Sequence, residues 1–120
     1  MKKTESPVDK RSHNRLRVKD GVYAIINYKP AILGQIINIS KDGMAVRYSS
    51  NGKQLSVPSE LDIFKRDSHF YIEKIPIETI SDFEIFDSSS QEDRQRCFQF
   101  GKMKATQLFQ LDYLLQNYTT

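Results

Sequence analysis

From Gly21 onward the chain is written as short apolar runs separated by turn residues. Residues 22–28 are dense in β-formers and stop at Lys29 and Pro30. Residues 32–39 follow and stop at Ser40, Lys41, Asp42 and Gly43. Residues 44–48 alternate apolar and polar side chains, then meet Ser49, Ser50, Asn51 and Gly52. Runs at 60–64, 69–75, 79–86 and 96–100 repeat the pattern, and the polar stretch 87–93 reads as a solvated hairpin loop. Short strands at close intervals, each ended by turn chemistry, predict an antiparallel barrel or sandwich. The last segment departs from this. Over 104–118, Leu108, Leu111, Leu114, Leu115 and Tyr118 form a helical stripe with no proline among them. A helix with one apolar face is expected to pack on the barrel and cover an open end or edge.

Composition narrows the class. The chain has 120 residues, of which 38% are hydrophobic and 28% charged, the balance of one soluble domain with a modest core. No apolar run approaches the roughly 20 residues of a membrane helix, and residues 1–7 lack the apolar region of a secretory signal. A single cysteine, Cys97, forms no internal disulfide, which fits a reducing cytoplasm; its place in a strand between Arg96 and Phe98 predicts a small buried thiol. Residues 1–9, polar and containing Pro7, read as a flexible arm, and 10–118 as the folded domain.

The net charge of +3 is unevenly distributed. Seven Lys and Arg stand within residues 1–19, against Glu5 and Asp9, so the remainder is faintly acidic. An anion would therefore be met by the arm rather than by the barrel surface. Within that basic stretch Arg11 and Arg15 are four apart, an RxxxR pair. Guanidinium forks of this kind pair with the O6/N7 edge of guanine, stack on bases or clamp phosphate oxygens. Farther on, Asn38, Ser40 and Gly43 spell [DN]xSxxG at the end of a predicted strand. Asn38 and Ser40, two apart, are expected on one face, ready to hydrogen-bond a base or phosphate. Gly43 suits a turn that needs positive φ or close backbone approach. By chance the arginine pair arises in roughly one such chain in three and the turn in roughly one in twenty. In this order, on a β-rich chain, the combination is specific.

With these motifs the chain resembles the PilZ domain, a bacterial family of cyclic di-GMP receptors. The resemblance extends to residues 35–46, similar to the family's second and third strands with their turn. It also takes in residues 96–101, similar to its last strand, and the helix at 104–118. It implies a mainly β fold, a six- to seven-stranded antiparallel PilZ-type β-barrel with a C-terminal α-helix. It implies that Arg11 and Arg15 bind guanine edges and phosphates of cyclic di-GMP. Asn38 and Ser40 would hydrogen-bond a guanine, and Gly43 would hold the turn. Lys10, just before the arginine pair, lies where members vary; a long basic residue there is expected to favour two intercalated ligand molecules over one. Two departures stand out: Asn rather than the commoner Asp at 38, and Lys41-Asp42 where a second glycine is frequent. The implied role is a cytoplasmic receptor that changes conformation on binding and signals to an unidentified protein partner in motility, biofilm or exopolysaccharide control. No cofactor, metal or membrane insertion is implied.

Two other readings compete. A small barrel displaying Tyr23, Tyr28 and Tyr48 would bind single-stranded nucleic acid by stacking, although the faintly acidic barrel disfavours it. A PilZ-like module without ligand would act through protein contacts alone; the intact motifs speak against that. Catalysis is not expected. His13 and His69 have no partners at metal-ligand spacing, His69 reads as the start of a strand, and no nucleophile elbow, P-loop or GxGxxG pattern is present.

Overall fold

The computed structural model describes residues 14–28, 31–49, 57–85 and 93–120. Along these, β-branched and aromatic residues at alternate positions form six strands: β1 (Val22–Tyr28), β2 (Ala31–Ile39), β3 (Gly43–Ser49), β4 (Glu60–Lys65), β5 (Tyr71–Glu84) and β6 (Asp93–Phe100). They close into an antiparallel barrel in the order β1-β2-β3-β6-β5-β4, which leaves no sheet edge open. One face of each strand supplies the interior. Val22, Ala24 and Ile26 of β1, Met44 and Val46 of β3, Leu61 and Ile63 of β4, Ile72, Ile75 and Ile77 of β5, and Phe98 of β6 are all buried together.

The runs at 69–75 and 79–86, expected as two strands, are one continuous β5. Pro76 does not interrupt it. Pro76 faces Glu60 of β4, and the ladder bond beside them runs from Ile77 N–H to the Ser59 carbonyl, so the missing proline N–H removes no bond to β4. His69, expected to open a strand, lies exposed just before β5. Residues 86–92, which hold most of the expected hairpin loop, lie outside the described residues.

β5 bends early, where the pairing with β4 shifts register between Leu61 and Ile63 and Lys74 takes a left-handed φ of 54°. That conformation is costly for a residue with a Cβ. Buried Asp62 offsets the cost: Oδ1 accepts the Lys74 N–H at 2.8 Å, and its other oxygen accepts the Tyr71 hydroxyl. The Asp62 carboxylate that accepts this proton, together with partial burial, pushes the Tyr71 pKa up to about 12.

Helix α1 (Ala105–Asn117) reads this bend. Gln107 Nε2 donates to the carbonyls of Glu73 and Lys74, at 2.8 and 2.9 Å, while its Oε1 accepts the Lys104 N–H. Leu111 and Leu114 then enter the core beside it. The stripe expected from sequence is thus rotated: Leu108 is 54% exposed and Gln107 is buried. The rotation follows from the two β5 carbonyls, which need a donor that leucine lacks. Replacing Gln107 with Leu is expected to destabilise the fold by about 2 kcal/mol, because those carbonyls and the Lys104 N–H lose their partner. Urea unfolding would test it; a loss below about 0.5 kcal/mol would mean that Leu111 and Leu114 alone seat the helix.

Candidate functional site at the β2–β3 turn

Strand direction brings the end of β2, the start of β3, the start of β5 and the end of β6 to one end of the barrel, the end on which α1 sits. The site is built there. Along β2 the interior positions Gly34 and Ile36 are two apart, but the next core side chain is Ile39, three residues on. A register shift against β3 between Ile36 and Asn38 accounts for the change of phase. Such a bulge re-aims the side chains that follow it. It turns Asn38 away from the core and toward the N-terminal segment.

That segment is ordered where it passes β2. Leu16 and Ile39 exchange both backbone hydrogen bonds, each at 2.8 Å. The bridge fixes the register, and Arg15 Nη1 donates to Asn38 Oδ1 at 2.8 Å. Two motif residues far apart in sequence therefore meet. Lys10, Arg11 and His13 lie outside the described residues, as does the arm at 1–9.

Ser40 and Gly43 shape the turn. Ser40 is only 2% exposed. Its N–H donates to the Gly43 carbonyl at 2.9 Å, and its Oγ accepts the Asp42 N–H at 3.0 Å. Ser40 therefore locks the turn from within rather than standing beside Asn38 on an open face. The Asp42 carbonyl accepts from Phe100 N–H at 2.8 Å, which ties the turn to the end of β6. Gly43 meets the second of its two expected demands. Its φ is not in the left-handed region, but a Cβ built on it would stand 2.1 Å from the Phe98 carbonyl oxygen. Close approach of β3 to the β6 backbone requires the glycine.

A groove of about 450 Å3 along β2 is lined by Arg17, Asp20, Gln35, Ile37, Arg47 and Gln95, among others, but by none of Arg15, Asn38, Ser40 and Gly43. Its volume falls within the roughly 300–1,000 Å3 usual for small-molecule sites. Arg47 is held there by Asp93, with Nη2 at 2.7 Å and Nε at 3.2 Å from Oδ2. Gln35, Arg47 and Gln95 lie in one cross-strand row over β2, β3 and β6. Sequence reasoning missed this row; the signal was a polar residue at an outward position of each strand. Cys97, expected to be buried, is half-buried, opposite Ala45 and Ser81. Among the described residues no cluster of three His, Cys, Asp or Glu is placed to hold a metal, and no helix is long and apolar enough to cross a membrane.

No protein-family model matches the sequence, and no curated protein sequence matches it. Comparison of structures finds a neighbour in the PilZ domain with c-di-GMP of YcgR from Escherichia coli. The two share 14% sequence identity and superpose with a TM-score of 0.61 over 90% of this chain and 91% of that one. The barrel with its C-terminal helix is a PilZ-domain fold.

Proposed function

We propose that the chain is a cyclic di-GMP receptor that works by rearrangement, without chemistry of its own. The observation that carries the reading is the hydrogen bond between Arg15 and Asn38, which joins the two halves of the motif at one rim of the barrel. The PilZ domain of YcgR, which has the same fold, is described with c-di-GMP. On this reading Lys10, Arg11 and Arg15 wrap the phosphates and guanine edges. Asn38 contacts a guanine, and Ser40 and Gly43 keep the rim rigid. Ligand bound there then changes the surface offered to a protein partner. The nucleic-acid reading loses one of its stacking residues, because Tyr48 is buried in the core at 4% exposure. Tyr23 lies half-buried in an aromatic row with Phe64 and Tyr71, and the Tyr28 side chain lies outside the description.

Calorimetric titration of cyclic di-GMP tests the proposal. Wild type is expected to bind, and Arg15→Ala to bind about 10- to 100-fold more weakly, the range of one or two charge-assisted hydrogen bonds. Absence of heat with wild type at micromolar protein refutes the receptor. Unchanged affinity in Arg15→Ala refutes the role given to the arm.

A further inference from the structure

The segment that carries Arg15 touches the barrel on one edge and the residues after α1 on the other. Leu16 turns both its N–H and its carbonyl to Ile39, while Arg17 and Lys19 turn theirs the opposite way. The Arg17 carbonyl accepts from Thr120 N–H at 2.9 Å, and Lys19 N–H donates to the Tyr118 carbonyl at 2.7 Å. This alternation is that of a strand with partners on both sides. Residues 16–19 thus form a short splint between the end of β2 and the tail 118–120.

The tail in turn is held by the helix. Tyr118 N–H donates to the Leu114 carbonyl at 2.8 Å and Thr119 Oγ1 to the Leu115 carbonyl at 2.6 Å. The Tyr118 ring packs edge-on against Phe70 and Tyr113, with centroids 5.3 and 5.8 Å away. A weaker link runs beside it, Lys41 of the β2–β3 turn standing 3.9 Å from Asp112 of α1, both side chains about half exposed. The splint has little apolar anchorage: Leu16 is 38% exposed and Arg17 and Lys19 are exposed, with Val18 alone packing against the core. Its order depends mainly on backbone hydrogen bonds along two edges. Segments of this kind open locally at low cost.

We infer that docking of residues 118–120 on the splint and binding of cyclic di-GMP at Arg15 and Asn38 are coupled, so that the tail after α1 regulates ligand affinity; this rests on the receptor reading above. With the tail docked, the splint keeps both edges, the Leu16–Ile39 bridge holds its register, and Arg15 stays at Asn38. With the tail drawn away, the splint must be held in place at the ligand's expense. Linkage makes the effect reciprocal. Bound ligand clamps the tail and α1, and a partner that pulls on either releases ligand.

Thr120→Pro removes the N–H that Arg17 accepts from, while leaving the helix intact; the extended residue that a proline requires before it is already present in the Val18–Thr119 bridge. Thr120→Ala keeps that N–H and is its control. In the full chain, Thr120→Pro is expected to speed amide exchange at Leu16, Lys19 and Ile39 about tenfold relative to Thr120→Ala. Its affinity for cyclic di-GMP is expected to fall about fivefold, one ordinary hydrogen bond. Equal exchange at Leu16 in the two variants overturns the coupling, and so does equal affinity. Failure of wild type to bind cyclic di-GMP instead refutes the receptor reading, and the exchange rates then decide alone whether the tail holds the splint.

Discussion

Gly43→Ala is expected to lower the stability of the barrel by about 3 kcal/mol, at the upper end of what overpacking costs. The added methyl would stand 2.1 Å from the Phe98 carbonyl oxygen, 3.1 Å from its carbon and 3.2 Å from Gln99 Cα. All three are backbone atoms of β6, so no side-chain rotation relieves the clash. The strands must separate, and they are paired residue by residue from Gly43–Gln99 to Ser49–Asp93. The change also reaches the turn, because the Gly43 carbonyl accepts from Ser40 and Phe100 reaches back to Asp42. At about 4–8 °C per kcal/mol for a domain near this size, the melting temperature would fall by about 12–24 °C. Thermal unfolding checks the claim. A variant that melts within about 2 °C of wild type would show that β6 yields freely and that close approach is not what the position requires.

How far the sequence could be read depends on whether a feature needs a partner to be seen. Runs of β-formers ended by turn residues place four strands and the helix nearly at their observed ends, because alternation and turn chemistry are local. The RxxxR and [DN]xSxxG motifs are local patterns as well, and of their residues the structure joins Arg15 to Asn38. The bulge between Ile36 and Asn38 has a trace in the sequence, the three-residue step from Ile36 to Ile39, but strict alternation does not interpret it. Continuity of β5 through Pro76 is illegible, since whether a missing N–H matters depends on which neighbour faces it. Gln107 for Leu108 fails in the same way: a buried glutamine reads as surface until the carbonyls of Glu73 and Lys74 are known. Ser40 was assigned to an open face by its spacing from Asn38, and the turn instead draws it inside. For β5 and Gln107 a long-range hydrogen bond outranks a local pattern, whereas Ser40 is drawn inside by the turn's own bonds to Asp42 and Gly43.

The same blindness hid a charged plug in the barrel, and it carries the other large effect. Toward the end opposite the β2–β3 turn, β6 points Arg94 and Arg96 inward where Phe98 continues the core. Asp82, the β5 partner of Arg96, meets them. Its Oδ2 accepts from Arg96 Nη2 at 2.6 Å and Nε at 3.1 Å, and Oδ1 accepts from Arg94 Nε at 3.0 Å. The Tyr48 hydroxyl donates to the same carboxylate, and its ring lies 5.3 Å from the Arg96 guanidinium. Burial pushes the Asp82 pKa upward, but the hydrogen bonds from Arg96, Arg94 and Tyr48 and the charge of Arg96 outweigh it and hold the carboxyl below its ordinary range. Burial likewise raises the Tyr48 hydroxyl. Asp82→Asn would strand Arg96, whose side chain is 5% exposed and whose buried Nη1 already has no hydrogen-bond partner among the described residues. A loss of about 3–5 kcal/mol is expected near neutral pH, the cost of leaving a buried charge uncompensated. The pH dependence has a definite sign. A folded-state pKa below the unfolded one means that the unfolded chain binds more protons in the interval between them. The stabilisation by Asp82 is therefore fully present above the unfolded value, near 3.9, and is lost as pH falls through the lower folded value. Urea unfolding of wild type and Asp82→Asn from pH 7 to pH 2 would read it out. The gap between them is expected to stay constant above about pH 5 and to close in acid. A gap that persists unchanged at pH 2 would mean that shape rather than charge makes Asp82 necessary to the plug.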